Sequence, residues 1–276
     1  VGAQAVALAV LVSVVGMPHG GLDHRVGRAL LRPTLGPRWA VAFAALYLGA
    51  MAVVVLGWYL APLPTLAGFV LLSAVHFGTA DAQPGAPGGL ARAALLGGMV
   101  VWVPALFQPA EFTRLLTWVV PGDRWPEPVL FAPQVRTLLW AALAAVCASQ
   151  CSGAVPAAAR TLGFVALYAL APPLVGFVVY FCGWHSAAEL VRLARRAAPG
   201  RPAAGLWRVV AAAAPLSALA VAMGAVGWAL AGDLPLAPGL VRVVFVGLSV
   251  VAVPHLLLNL VAARADVNPF AAEGNG

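Results

Sequence analysis

VGAQAVALAVLVSVVGMPHGGLDHR, residues 1–25, is the stretch that decides the fold. Up to Gly16 it carries only two polar side chains, Gln4 and Ser13, and then His19, Asp23, His24 and Arg25 crowd together. The apolar part is continuous rather than alternating. In hydrocarbon the backbone must satisfy its own polar groups within the segment, so the run reads as a membrane helix ending in a chemically loaded turn. It opens without Met or a basic leader, so no signal peptide is expected, and the first span is expected to be a few residues short.

Similar runs recur outward from this one, at about 2–18, 39–61, 64–80, 90–107, 135–151, 157–171, 173–195, 207–231 and 240–263. Of the 276 residues, 62% are hydrophobic and 9% are charged. A soluble domain carries roughly 25% charged residues, so most of this surface faces something other than water. The expected fold is an all-α, polytopic transmembrane helical bundle of eight or nine spans. Residues 1–264 form one helical domain on this reading, and ADVNPFAAEGNG (265–276) a short polar C-terminal tail.

The formal charge is +7, and all sixteen basic residues are Arg. They sit in short loops between apolar spans, where they set topology; nucleic acid is not an expected partner. With the end of the first span placed in the cytoplasm, twelve arginines fall inside, among them Arg25, Arg192 and Arg264, and four outside: Arg114, Arg124, Arg136 and Arg242. The expected location is the inner (cytoplasmic) membrane, with the amino terminus outside. Trp118 and Trp125 in the outer stretch 108–134 read as interfacial anchors, with a surface helix around Glu111–Val119. Cys147, Cys151 and Cys182 lie in or beside apolar spans and read as small buried residues, not a disulfide framework.

The five histidines are His19, His24, His76, His185 and His255. Four of them, all but His24, fall in four different spans, each a few residues before the inner boundary. At 1.5 Å per residue they sit roughly 8–14 Å below it, in one layer. Ionisable groups at that depth are functional candidates by default. Asp23, Glu189 and Asn259 follow His19, His185 and His255 by one helical turn, and can accept the second imidazole N–H or bind metal themselves. The plainer reading for His255 is a hydrogen bond to a neighbouring helix, and for His24, beside Arg25, a solvated role. Imidazoles suit Fe, Zn, Cu and Ni, and histidines with a carboxylate and open positions favour non-haem Fe(II) oxygen chemistry. A site within lipid implies a lipid-soluble substrate.

GMPHGGLDH (16–24), SAVHFGTAD (73–81), FCGWHS (181–186) and VPHLLLN (253–259), in this order, resemble the Brp/Blh family of membrane-bound β-carotene 15,15′-dioxygenases. The resemblance spans nearly the whole chain. It implies cleavage of the central double bond of β-carotene, or a related carotenoid, by O2 to give two retinal molecules. It also implies an Fe(2+) centre held by four histidines. His19, His76 and His185 match three of them; the fourth family position holds Glu189 here. Three readings of that departure stay open. Glu189 is itself a ligand; or it is an acceptor behind the ligands while His255 completes the set; or the site is altered toward another carotenoid or no catalysis. Asp23, His24 and Asn259 are expected to support the ligands. The competing function classes are a haem-binding or metal-transport bundle and a non-catalytic protein that assists retinal-protein assembly.

Overall fold

The structure, a computed structural model, describes residues 1–81, 89–120, 132–151, 155–262, 265, 269 and 270, with Cys151 described by its backbone alone. Arg124, Trp125 and Arg264 lie outside the described residues, as does most of the expected tail. Among the described residues every regular element is a helix.

In chain order α1 is Gly2–Leu11, prolonged by a π-helical turn, Val12–Gly16, and a last turn, Met17–Gly20. Then come α2 (Asp23–Leu35), α3 (Trp39–Leu60), α4 (Pro62–Ala80), α5 (Gly89–Gly97), α6 (Met99–Phe107), α7 (Pro109–Val119), α8 (Pro133–Cys151) and α9 (Val155–Leu170). The helix α10 (Pro173–Val178) runs on through a second π-helical turn, Val179–Ser186, into Ala187–Ala197. Finally α11 spans Pro202–Leu230 and α12 Leu236–Ala262. Proline starts α4, α7, α10 and α11, where its missing N–H costs nothing and its fixed φ suits the first turn. Gly200, at φ 75°, lets the chain reverse between α10 and α11.

Each of the nine expected apolar stretches is helical. By length and composition, five helical runs can cross a membrane, or six if α5 and α6, bent by 51°, count as one. The first of these, Gly2–Leu60, is 59 residues long and contains α1, α2 and α3. At 1.5 Å per residue it would measure roughly 90 Å if straight, about three hydrocarbon thicknesses. It turns back instead at Gly20–Leu22, so that α1 and α3 both pack on α12. The architecture is a polytopic helical membrane bundle. Large apolar side chains such as Val41, Leu46, Leu60, Val226 and Leu230 point outward from α3 and α11, the faces that lipid would cover.

The helix α12 is the hub, touching α1, α3, α4, α7 and α11. Close crossings depend on missing side chains. A Cβ on Gly78 would run into the carbonyl of Ala93, and one on Gly97 into that of Ala74, so α4 and α5 meet backbone to backbone. Gln108 Nε2 donates to the carbonyls of Tyr168 (3.1 Å) and Ala171 (2.6 Å), satisfying acceptors that the end of α9 leaves open. The surface helix expected around Glu111–Val119 is α7; the carbonyl of Trp118 accepts from Arg242 Nε at 2.8 Å. Cys182 is a buried free thiol and Cys147 a half-buried one.

Phe270 is buried among Leu22, Leu193, Ala197, Val209 and Ala213, with the Arg25 guanidinium over its ring.

Candidate functional site

Four helices deliver one imidazole each to a single cluster in the bundle. His19 ends α1, just past its π-helical turn, and His185 lies inside the π-helical turn of α10. Such a turn inserts one residue into the helical register and redirects the side chains around it, and is frequent at functional sites. The two π-helical turns pack on each other. They do so across Gly16, whose Cβ would stand 2.7 Å from Phe181 Cε1. His76 lies one turn before the end of α4, and His255 follows Pro254 in α12. After His19, Gly21 passes so near α11 that a methyl group there would fall 2.7 Å from the carbonyl oxygen of Ala213. Gly16 and Gly21 of GMPHGGLDH thus let the turn fold under the cluster.

The imidazoles form a closed circuit. Ring centroids are 5.6 Å apart for His19–His185, 5.1 Å for His185–His76, 5.7 Å for His76–His255 and 5.3 Å for His255–His19. Rings ligating one ion through nitrogens about 2.1 Å from it would have centroids roughly 4.5–5.5 Å apart. The spacing fits. The aim of the nitrogens is looser: the rings meet edge to face, at interplanar angles from 68° to 86°. Among the described residues no group of three or more His, Cys, Asp or Glu side chains is set, as it stands, to hold an ion. Ring rotations are needed to bring the donor atoms onto one point.

His185 carries the strongest sign that a cation belongs here. Its side chain is 1% exposed, and neither ring nitrogen has a hydrogen-bond partner. The nearest acceptor, Asp81 Oδ1, is 4.0 Å from Nδ1. His19 Nδ1 is also buried without a partner. Buried polar groups are normally paired, because leaving one unpaired costs about 1–3 kcal/mol. A metal ion would take the lone pair of one nitrogen in each ring, and the N–H on the other nitrogen of His185 would then need an acceptor, for which Asp81 stands 4.0 Å from Nδ1.

Two opposite corners each have an aspartate–tyrosine pair behind them, hydrogen-bonded to the ring at His255 and standing off from it at His185. Asp23 Oδ1 lies 2.8 Å from His255 Nδ1, and its Oδ2 accepts from the Tyr47 hydroxyl at 2.8 Å. Asp81 stands behind His185, and its Oδ2 accepts from the Tyr180 hydroxyl, again at 2.8 Å. Asn259 Nδ2 is 2.9 Å from His255 Nε2 and holds the lone pair that would otherwise be open. Neither Tyr47 nor Tyr180 is marked out by the sequence, since each sits in an apolar run and meets its aspartate through the fold. Asp81 closes the motif SAVHFGTAD, but nothing in its spacing points to His185.

Two expectations are corrected here. Asp23, one turn after His19, turns to His255 instead. The carboxylate of Glu189 pairs with Arg192 at 2.7 Å and, among the described residues, makes no hydrogen bond to an imidazole. His255 fills the fourth corner. His24 is held apart on α2: its Nδ1 is buried without a hydrogen-bond partner, and its ring stacks on none of the other four among the described residues. Asn259 does meet His255, as its spacing predicts, but through its amide nitrogen on Nε2 rather than as an acceptor of the ring N–H.

All four imidazoles line one wall of a cavity of about 280 Å³. Apart from Tyr47, Ser73 and Ser217 the rest is apolar or glycine: Phe43, Leu48 and Met51 from α3, Phe69 and Phe77 from α4, Leu219 and Met223 from α11. Ser217 also reaches it, with its Oγ buried and unpartnered. A long hydrocarbon could lie here against a polar cluster from which water is largely excluded.

Comparison with known proteins gives a consistent result. The family "Beta-carotene 15,15′-dioxygenase" matches residues 10–261. A relative from Halobacterium salinarum, named probable beta-carotene 15,15′-dioxygenase Blh, is 29% identical over 245 residues, covering 78% of this chain and 71% of its own. A beta-carotene 15,15′-dioxygenase from an uncultured marine bacterium, 66A03, is 27% identical over 267 residues, 90% of each chain. No solved structure matches.

Proposed function

The chain belongs to the β-carotene 15,15′-dioxygenase family, and on that premise we propose that it cleaves the central double bond of β-carotene with O2 to give two retinal molecules. Each carbon of the broken double bond takes one oxygen atom and leaves as an aldehyde, so the substrate and one O2 account for both products. The observation that carries the reading is the circuit of four imidazoles in the wall of an apolar cavity.

His19, His76, His185 and His255 are the residues that would hold Fe(2+). Four neutral imidazoles suit that ion among others. Bound there, iron would supply the activation of O2 that an isolated polyene lacks. The protein contributes the remainder. Asp23 accepts the Nδ1 proton of His255, which fixes the ring's tautomer; Nε2, whose lone pair the Asn259 amide takes, would ligate once that amide turns aside. Tyr47 and Tyr180 hold the two aspartates in place. Phe43, Met51, Phe69 and Met223 would grip an unsubstituted hydrocarbon by dispersion and keep water from it.

The substrate would enter from lipid. We place the chain in the cytoplasmic membrane with its amino terminus outside and the histidine layer toward the cytoplasm. The arginines of α2 and of the last turns of α10 follow His19 and His185 in the chain, and the end of α1 touches the end of α10.

Expression in a bacterium that accumulates β-carotene tests the activity. Loss of orange colour with retinal appearing, and iron in the purified protein, is the expected result. Unchanged pigment in cells that contain the folded, iron-loaded protein would defeat it.

A further inference from the structure

Resting on the proposed cleavage, a second and deeper question is where the far half of the substrate goes. A conjugated polyene is a stiff rod. If its middle lies at the imidazoles, equal arms must leave in opposite directions, and neither can fold back. The cavity that contains the histidines offers room on one side of α4 and α12, toward α3 and α11.

A second cavity, of about 120 Å³, lies on the other side of α4 and α12. Its walls come from α5, α6, α7 and α10, with Val101, Phe112, Leu115 and Phe177 among them. Four residues line both cavities: Phe69, Ser73, Phe77 and Leu248. Three of these stand four residues apart on one face of α4, so the wall between the cavities is a single helical stripe completed by Leu248. Its middle position is Ser73, the smallest of the four. One turn away on either side, roughly 6 Å along the axis, stand the phenylalanines. The wall is therefore notched at Ser73. A planar hydrocarbon chain keeps its neighbours at about 3.5–4.0 Å, a width such a notch can accommodate with small ring movements. The notch also lies beside the cluster, since the Phe77 ring is 4.7 Å from that of His185 and 5.9 Å from that of His76.

We infer that the polyene threads the Ser73 notch, and that the cavity between α4 and α6–α7 is the binding chamber for the arm beyond the cleaved bond. Apart from Ser73 at the partition, that chamber is lined by apolar side chains, glycine and proline. The arm it takes ends in an unsubstituted ring.

The test uses the purified full chain, depleted of metal and kept free of O2, so that retention of pigment is read rather than turnover. Two pigments are compared: β-carotene, and an apocarotenal cut short on one side just past the central bond. Ser73→Leu closes the notch, and Val101→Trp fills the chamber from α6 without touching the first cavity. Wild type should retain both pigments. Each variant should lose β-carotene at least tenfold and keep the shortened pigment, which also shows that the variant is folded. Should Ser73→Leu fail to fold, Val101→Trp carries the same comparison. Variants that retain β-carotene as wild type does would overturn the chamber while leaving the cleavage reading intact. Wild type that retains neither pigment would bring down both.

Discussion

Asp23 and His255 are 232 positions apart in the chain, yet their side chains meet at 2.8 Å. The carboxylate is almost fully buried and has two partners, His255 and the Tyr47 hydroxyl. It ties the turn after α1 to the middle of α12 and fixes which way one imidazole of the cluster faces.

Replacing Asp23 with Asn keeps the size and removes the charge-assisted acceptor. Supporting carboxylates of this kind are worth about 10–100-fold in metal affinity or activity, so Asp23→Asn should lower iron retention and retinal formation by that order. Iron content after dialysis against a graded chelator, together with initial rates in detergent, checks it. Unchanged iron retention would show that His255 does not ligate.

Glu189 gives the opposite expectation. Its carboxylate pairs with Arg192 on a partly exposed face, an arrangement worth about 0–1 kcal/mol. Glu189→Ala should keep iron and cleave at a rate within about fivefold of wild type, the scale of such a pair. Iron analysis and retinal yield decide it, and loss of iron in this variant would restore Glu189 to the ligand set.

These two residues show what was legible in the chain and what was not. The apolar runs, the gathering of the histidines and the meeting of His255 with Asn259 follow from composition and helical spacing, both local properties. The spacing rule failed for Asp23 and Glu189 because one helical turn says only that two side chains can meet. At Asp23 the chain leaves α1 at Gly20–Leu22 and starts a new helix, so the residue four positions after His19 is no longer on the same helical face. At Glu189 the side chain has a nearer charged partner, Arg192. The aspartate–tyrosine pairs Asp23–Tyr47 and Asp81–Tyr180 join residues 24 and 99 positions apart, and no periodicity encodes them.

Gly78 tests the close crossing behind His76. A Cβ there would collide with the carbonyl of Ala93, a backbone atom that cannot rotate away. Overpacking of this type costs about 1–3 kcal/mol, so Gly78→Ala should lower the unfolding temperature in detergent and weaken iron retention as α4 shifts. Gly68, on the same helix with open space around it, is the control, and Gly68→Ala should be neutral or slightly stabilising. Equal behaviour of the two variants would mean that the crossing is looser than described.

His185 separates a ligand from a structural histidine by thermodynamics alone. Its two ring nitrogens are buried without hydrogen-bond partners, so in metal-free protein the residue is a liability of about 1–3 kcal/mol. Leu is of similar bulk and carries no polar atom. The metal-free His185→Leu protein should therefore unfold at the same temperature as metal-free wild type, or above it. Adding Fe(II) should reverse the order. A ligand present at about 100 times its dissociation constant stabilises the folded state by roughly 2.7 kcal/mol, and only wild type has the site to collect it. Unfolding scans of both proteins with and without Fe(II), under anaerobic conditions, supply the four values needed. If His185→Leu were clearly less stable without metal, the imidazole would be holding the bundle together by some contact of its own. If Fe(II) raised both proteins alike, the ion would be binding elsewhere.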